Sequence, residues 1–166
     1  MAGAHRAAPR ALPAASSPGG PTSRGPPRTE EWSGSRLALP VSVAKRVLVV
    51  DDMPYLRDIQ VLLLSEAGYS ATALGDPREA LDRLPELAPD LILLDVSMPE
   101  MDGRQFLARL RATPRWQELP VILTTGRAVD DMARESGCDV LSKPFSDVAL
   151  LDRVSRLIGA AASNGS

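Results

Sequence analysis

The chain has 166 residues, a formal net charge of −2, 44% hydrophobic residues and 24% charged residues, which is enough for one globular domain. The balanced charge removes the electrostatic argument for direct nucleic-acid binding, and no apolar run reaches the roughly 20 residues of a membrane-inserted helix. A single cysteine, Cys138, excludes an intrachain disulfide and a cysteine-cluster zinc site, and a single histidine, His5, argues against a histidine-based triad or metal site.

The first 44 residues differ in composition from the rest of the chain. They hold seven of the 15 prolines, and five Arg against two Glu give them a charge of +3. Without sustained apolar periodicity, such a segment cannot bury enough surface to offset its conformational entropy. We therefore expect a disordered Pro, Ala, Gly and Arg-rich segment at 1–44, a folded domain at 45–158 and a flexible tail at 159–166.

No secretory signal is evident, because no continuous apolar stretch follows the early arginines. The first 29 residues contain Arg and Ser but no acidic residue, which leaves an organelle transit peptide as an alternative interpretation.

Short apolar runs alternate with amphipathic segments between residues 45 and 158. The apolar runs predict strands at 46–50, 69–73, 91–94, 121–125 and 138–142. Five helices are predicted. The first runs from Pro54 to Gly68, the second begins at the Asp76-Pro77 cap, and the third contains Phe106. The fourth covers 128–136, and the fifth begins at the Ser146 cap. Strands that alternate with helices predict an α/β fold, in which a five-stranded, doubly wound parallel sheet carries helices on both faces.

Polar side chains stand where four of these strands end. Asp51 and Asp52 follow the first strand, Asp95 ends the third, Thr125 ends the fourth, and Lys143 follows the fifth. In a doubly wound sheet the working site lies beyond the carboxyl ends of the strands, so we expect these groups to converge. Three close carboxylates call for a hard cation such as Mg²⁺, with Mn²⁺ as a substitute. Together with a lysine and a hydroxyl, they form the set required to make an aspartyl phosphate.

Five motifs in this order resemble the receiver domain of two-component response regulators: VLVVDD at 47–52, LILLD at 91–95, MPEMDG at 98–103, PVILTT at 120–125 and KPF at 143–145. The resemblance covers about 45–158. It implies a flavodoxin-like receiver fold with strand order 2-1-3-4-5, and a signalling domain rather than an enzyme with a substrate of its own.

The resemblance implies a phosphoacceptor and a metal site. Asp95 would accept the phosphoryl group from a phosphohistidine on a sensor histidine kinase or a histidine phosphotransfer protein. The Mg²⁺ ligands would be Asp52 and Asp95, with Asp51 acting through water and Ser97 through its backbone carbonyl.

The resemblance also implies roles around the phosphoryl group. Thr125 and Lys143 would bind it, and the Lys143–Pro144 peptide would be cis, in keeping with the higher cis probability of X–Pro bonds. Ser97 and Arg127, each two places after a site residue, occupy the positions that tune hydrolysis in the family.

The sequence departs from the family in two places. Lys143 follows Thr125 by 18 positions, roughly four fewer than is usual, so the helix at 128–136 must be short or partly unwound. Val140 stands where the family usually has an aromatic residue that swings inward with the threonine. We therefore expect a different response to phosphorylation, centred on a mobile segment at 126–131.

Few residues follow the last predicted helix, so we expect a stand-alone receiver, and the resemblance implies a bacterial-type cytoplasmic phosphorelay. Its output would be contact with an unknown downstream protein or onward phosphotransfer. One alternative is an interaction module whose switch has decayed. Another is a phosphohydrolase of the haloacid dehalogenase type, which needs a second acid where Ser97 stands. Binding of a flavin or a dinucleotide is a weaker interpretation, because no Gly-rich loop follows the first strand.

Overall fold

Five short apolar segments form a single parallel sheet in the computed structural model, which describes residues 43–126 and 136–161. The strands are β1 Arg46–Val50, β2 Ser70–Leu74, β3 Leu91–Asp95, β4 Val121–Thr125 and β5 Asp139–Ser142. Their order is β2-β1-β3-β4-β5, and every neighbouring pair is parallel. This confirms the predicted α/β fold and the strand order 2-1-3-4-5.

The described ranges contain four helices. Three connect successive strands, α1 Pro54–Glu66, α2 Pro77–Leu87 and α3 Gly103–Ala112, and the fourth, α4 Asp147–Ile158, follows β5. A 3₁₀ turn at Pro114–Trp116 follows α3. Two predicted caps are confirmed, because the Asp76 carboxylate accepts from the Arg78 N–H at 2.8 Å and the Ser146 hydroxyl accepts from the Ala149 N–H at 3.2 Å. Each cap satisfies a helix donor that would otherwise lack a partner.

Several predictions fall outside the described residues. They concern most of the helix at 128–136, nearly all of the N-terminal segment at 1–44 and most of the tail at 159–166. The proposed domain boundaries at 44 and 158 therefore stay predictions.

The core lies on both faces of the sheet, because alternate side chains of a strand point to opposite faces. One cluster includes Leu48, Ile92 and Leu94 of the strands with Phe106 and Leu110 of α3. The second cluster is on the opposite face and includes the following residues of the strands and of α1 and α4: Val47, Val49, Leu91, Leu93, Leu64, Leu150 and Val154. Burial on both faces explains why the central strands read as continuous apolar runs.

None of the helices in the described part of the chain combines the length and the apolar character needed to cross a membrane.

Ala88, the residue that follows α2, has a backbone conformation that is unfavourable for a residue with a Cβ atom. Ala88 closes this helix in the left-handed region, with φ 40° and ψ 60°, and its N–H donates to the Leu84 carbonyl at 2.8 Å. Helices commonly end this way, but the residue is usually glycine, because a Cβ raises the energy of this conformation.

Replacing Ala88 by Gly should therefore stabilise the protein. We expect Ala88→Gly to raise the free energy of unfolding by about 0.5–1 kcal/mol, since relief of the left-handed strain exceeds the added entropy of the unfolded glycine. Urea unfolding measures the change.

The matched control is Ala108→Gly, at an exposed position inside α3. There the same substitution should lower the free energy of unfolding by about 1 kcal/mol. Equal destabilisation by both variants would contradict the explanation.

Candidate functional site

The carboxyl ends of four adjacent strands bring the predicted site residues together. Asp51 directly follows β1, and Lys143 directly follows β5. Asp95 is the last residue of β3, and Thr125 is the last residue of β4. Because β1, β3, β4 and β5 are neighbours in that order, these polar groups share one edge of the sheet.

Three carboxylates form an acidic cluster at this edge. Asp51, Asp52 and Asp95 each offer an oxygen, and the three oxygens lie within 4.8 Å of one another. Asp51 is 1% exposed and Asp95 is 5% exposed, whereas Asp52 is half-buried. Carboxylate oxygens at this spacing fit a small, hard divalent cation, which is the class that includes Mg²⁺ and Mn²⁺. The half-buried Asp52 leaves the cluster open to solvent on one side, as a cation that keeps several waters requires.

Lys143 supplies the cationic group in this cluster. Its Nζ donates to Oδ2 of Asp51 at 3.0 Å and to Oδ1 of Asp95 at 3.1 Å. Burial lowers the pKa of the lysine, but the two carboxylates outweigh that effect and hold its pKa above 10.5. Lys143 is therefore charged at neutral pH and joins two nearly buried carboxylates from different strands.

Asp51 is held in place by its own turn. The Met53 N–H donates to Oδ1 of Asp51 at 2.9 Å. An aspartate pair after a strand is often a helix cap, but here the N-cap of α1 is Met53, with no side-chain cap bond. The two aspartates are therefore free of the common capping role.

Gly103 allows the start of α3 to pack directly against the end of β3. Its N–H donates to the Val96 carbonyl at 3.0 Å. A Cβ at this position would lie 2.9 Å from the Asp95 carbonyl oxygen and 2.9 Å from the Val96 Cα, which is too close for non-bonded atoms. The absence of a side chain at 103 thus lets the backbone that carries Asp95 contact the helix.

Thr125 and the Lys143–Pro144 turn lie next to each other. Thr125 is fully buried, and its carbonyl accepts from the Lys143 N–H at 2.7 Å. The Lys143–Pro144 peptide bond is cis. Ser97 is exposed two residues beyond Asp95, while Arg127 lies outside the described residues.

Val140 points into the core. It is 5% exposed and belongs to the hydrophobic cluster that includes Phe106. The residue that stands in the usual aromatic position is thus a core residue of β5.

One polar contact at this edge was missed by the sequence reasoning. The Arg57 guanidinium, in the first turns of α1, donates to the main-chain carbonyl of Asp51 at 2.7 Å. The acceptor is a backbone atom, so no residue type in the sequence marks the contact. The only signal is the position of Arg57 four residues after the Met53 cap, on the turn of α1 closest to β1.

Removing the Lys143 charge should leave the two carboxylates without their counter-ion. At pH 7.5 we expect Lys143→Met to lower the free energy of unfolding by about 3 kcal/mol. The folded-state pKa of Lys143 is raised, so its stabilisation is complete below pH 10.5 and disappears as the pH rises through the raised value. The difference between wild type and variant should therefore narrow above that pH, as measured by urea unfolding between pH 7.5 and 11.5.

The chain provides a matched control in Lys45→Met, at an exposed position just before β1. That variant should unfold like the wild type at every pH. Added Mg²⁺ should also reduce the deficit of Lys143→Met, because a bound cation replaces the missing charge. A deficit that is the same at pH 7.5 and 11.5, with or without Mg²⁺, would contradict the assigned role.

Comparisons with known proteins match this fold and site. The family model described as "Response regulator receiver domain" matches residues 47–155. Response regulator Rre1 from Synechocystis is 37% identical over 114 residues, which cover 66% of this chain and 48% of Rre1. The chain therefore spans about half the length of that relative.

Two solved structures are similar over the same region. One is the signal receiver domain of a histidine kinase from Syntrophus aciditrophicus, with 38% identity and a TM-score of 0.64, covering 69% of this chain and 90% of that one. The other is the receiver domain of sensor histidine kinase PA1611 from Pseudomonas aeruginosa, with magnesium coordinated in its active-site cleft. It has 28% identity and a TM-score of 0.64, covering 71% of this chain and 100% of that one. Because the family model matches well over half of the 166 residues, the chain belongs to the receiver domain family of two-component response regulators.

Proposed function

We propose that Asp95 is the phosphoacceptor of this receiver and that Lys143 is its counter-ion. The observation that carries the proposal is the double contact of Lys143, whose Nζ lies 3.0 Å from Asp51 and 3.1 Å from Asp95. A lysine that already bonds one oxygen of the acceptor carboxylate is within reach of a phosphoryl group attached to the other oxygen.

The two oxygens of Asp95 differ in their surroundings. Oδ1 accepts from Lys143, whereas Oδ2 accepts no hydrogen bond from the described residues. In the proposed reaction, Oδ2 attacks the phosphorus atom of a phosphohistidine. The P–N bond breaks, and its electron pair stays on the imidazole, which then takes up a proton.

Mg²⁺, held by Asp52, Asp95 and the Ser97 carbonyl, with Asp51 acting through water, would supply positive charge to the phosphoryl oxygens. Lys143 would then exchange its bond to Asp95 for one to a phosphoryl oxygen while it keeps Asp51. The hydroxyl of Thr125, at the next strand end, would donate to another oxygen. These residues orient and neutralise the phosphoryl group, and hydrolysis of the aspartyl phosphate returns the site to its starting state.

The proposed donor is a sensor histidine kinase or a histidine phosphotransfer protein, and the proposed location is the cytoplasm. The signal would leave through contact with a downstream protein or through onward phosphotransfer, without direct contact to nucleic acid or insertion into a membrane. In this proposal the domain turns over only its own phosphoryl group and is not an enzyme with a separate substrate.

Asp95→Asn should prevent phosphorylation. We expect the wild type to gain one phosphoryl mass when it is incubated with acetyl phosphate and Mg²⁺, and the variant to gain none, because an amide is a far poorer nucleophile than a carboxylate. Intact-mass spectrometry measures both.

The control is Asp82→Asn, an exposed carboxylate on α2, which should label like the wild type. Equal labelling of Asp95→Asn would place the acceptor elsewhere. If the wild type itself failed to label, the result would favour a module that binds its partners without phosphorylation.

A further inference from the structure

Asp51 is anchored through all four of its polar groups. Its N–H donates to the Leu74 carbonyl at 3.3 Å, its Oδ1 accepts from the Met53 N–H at 2.9 Å, and its Oδ2 accepts from Lys143 at 3.0 Å. The remaining group, the main-chain carbonyl, accepts from Arg57 Nη1 at 2.7 Å. That carbonyl belongs to the peptide that joins Asp51 to Asp52, so its direction sets where the Asp52 side chain leaves the backbone.

The Arg57 guanidinium is itself confined by the chain at the end of β2. Gly75 follows that strand, and a Cβ built on it would lie 2.6 Å from Arg57 Nη1 and 3.0 Å from Cζ. The guanidinium therefore occupies the space that a side chain at 75 would take. Arg57 is half-buried, between the ends of β1 and β2, which restricts the directions in which it can donate.

From these contacts we propose that Arg57 is a positioning residue of the metal site. It fixes the Asp51–Asp52 peptide and thereby holds the Asp52 carboxylate toward Asp95. The inference rests on the proposed function, because it assigns Arg57 a task in Mg²⁺ binding. A group that orients a metal ligand in this way acts on affinity without touching the metal.

Charge and geometry predict opposite effects for the loss of Arg57. A guanidinium near three carboxylates repels an incoming cation. If charge were its only effect, removing the guanidinium would tighten Mg²⁺ binding. Removal of a positioning bond would weaken binding, because Asp52 would no longer be held in the ligand geometry. The sign of the change in affinity therefore separates the two roles.

The first experiment is calorimetric titration of Mg²⁺ into the full chain and its variants. We expect Arg57→Met to raise the Kd for Mg²⁺ about tenfold, within the range known for groups that orient metal ligands. Arg57→Lys, which keeps a charged donor at this position, should recover part of the loss. Arg109→Met removes an exposed arginine from the last turn of α3 and should bind Mg²⁺ like the wild type.

A second variant disturbs Arg57 without changing any charge or ligand. Gly75→Ala should displace the flexible guanidinium, weaken Mg²⁺ binding in the same direction and leave the urea midpoint in EDTA close to that of the wild type. In the Arg57→Met background, Gly75→Ala should have no further effect on the Kd, since the group it displaces is already gone. This coupling is a readout that a merely structural role would not produce.

Asp52→Asn separates failure of this inference from failure of the proposed function. If Asp52→Asn loses Mg²⁺ binding but Arg57→Met binds as tightly as the wild type or more tightly, the positioning role is overturned and the metal site stands. Additive effects of Arg57→Met and Gly75→Ala would also overturn it. If the wild type and Asp52→Asn titrate alike, both the metal site and the role of Arg57 are wrong.

Discussion

The charge balance between one lysine and two nearly buried carboxylates is the constraint on which the site depends. Asp51 and Asp95 come from different strands and are 1% and 5% exposed, and Lys143 bonds both. Carboxylates this far from water are costly unless a cation accompanies them. The lysine comes from a third part of the chain, so the acidic cluster depends on the correct docking of β5 beside β4.

The parallel sheet meets this requirement through its topology. Strands that all run in one direction present their carboxyl ends at one edge. The order β2-β1-β3-β4-β5 makes neighbours of the four strands that end at, or directly before, Asp51, Asp95, Thr125 and Lys143. Apolar side chains on both faces of β1 and β3 keep these strands in register. The polar groups then begin where the buried strands end, so the core and the site are adjacent without sharing residues.

Most of the fold could be predicted because each element has a strong local signal. The bounds of β1 and β4 agree with the apolar runs at 46–50 and 121–125. The prediction for β2 was wrong by one residue. The Tyr69 N–H donates to the Leu64 carbonyl at 3.0 Å and so completes the end of α1 instead of entering the sheet. A tyrosine before a strand carries no pattern that separates these two roles.

The convergence of the site residues also followed from the sequence, since strand ends are readable from apolar runs and the motif order is specific. The contact between Arg57 and the Asp51 carbonyl could not be predicted from the sequence. Its acceptor is a main-chain atom, and the neighbouring Gly75 makes room for the guanidinium only because it has no side chain. Contacts of this kind depend on backbone positions from three elements. Residue types at a given spacing do not encode them.

The burial of Val140 limits the ways in which a structural change at the acidic cluster could reach the outer surface of β5. A valine has a single side-chain torsion, strongly restricted by its branched Cβ, and no polar tip. Val140 packs in the cluster with Phe106, so β5 carries a small core side chain at this position and no aromatic ring that could turn between the pocket and the outer surface of the strand. Under the proposed function, a partner would therefore distinguish the phosphorylated domain by contacts at the rim of the pocket, not by a side-chain rotation on β5.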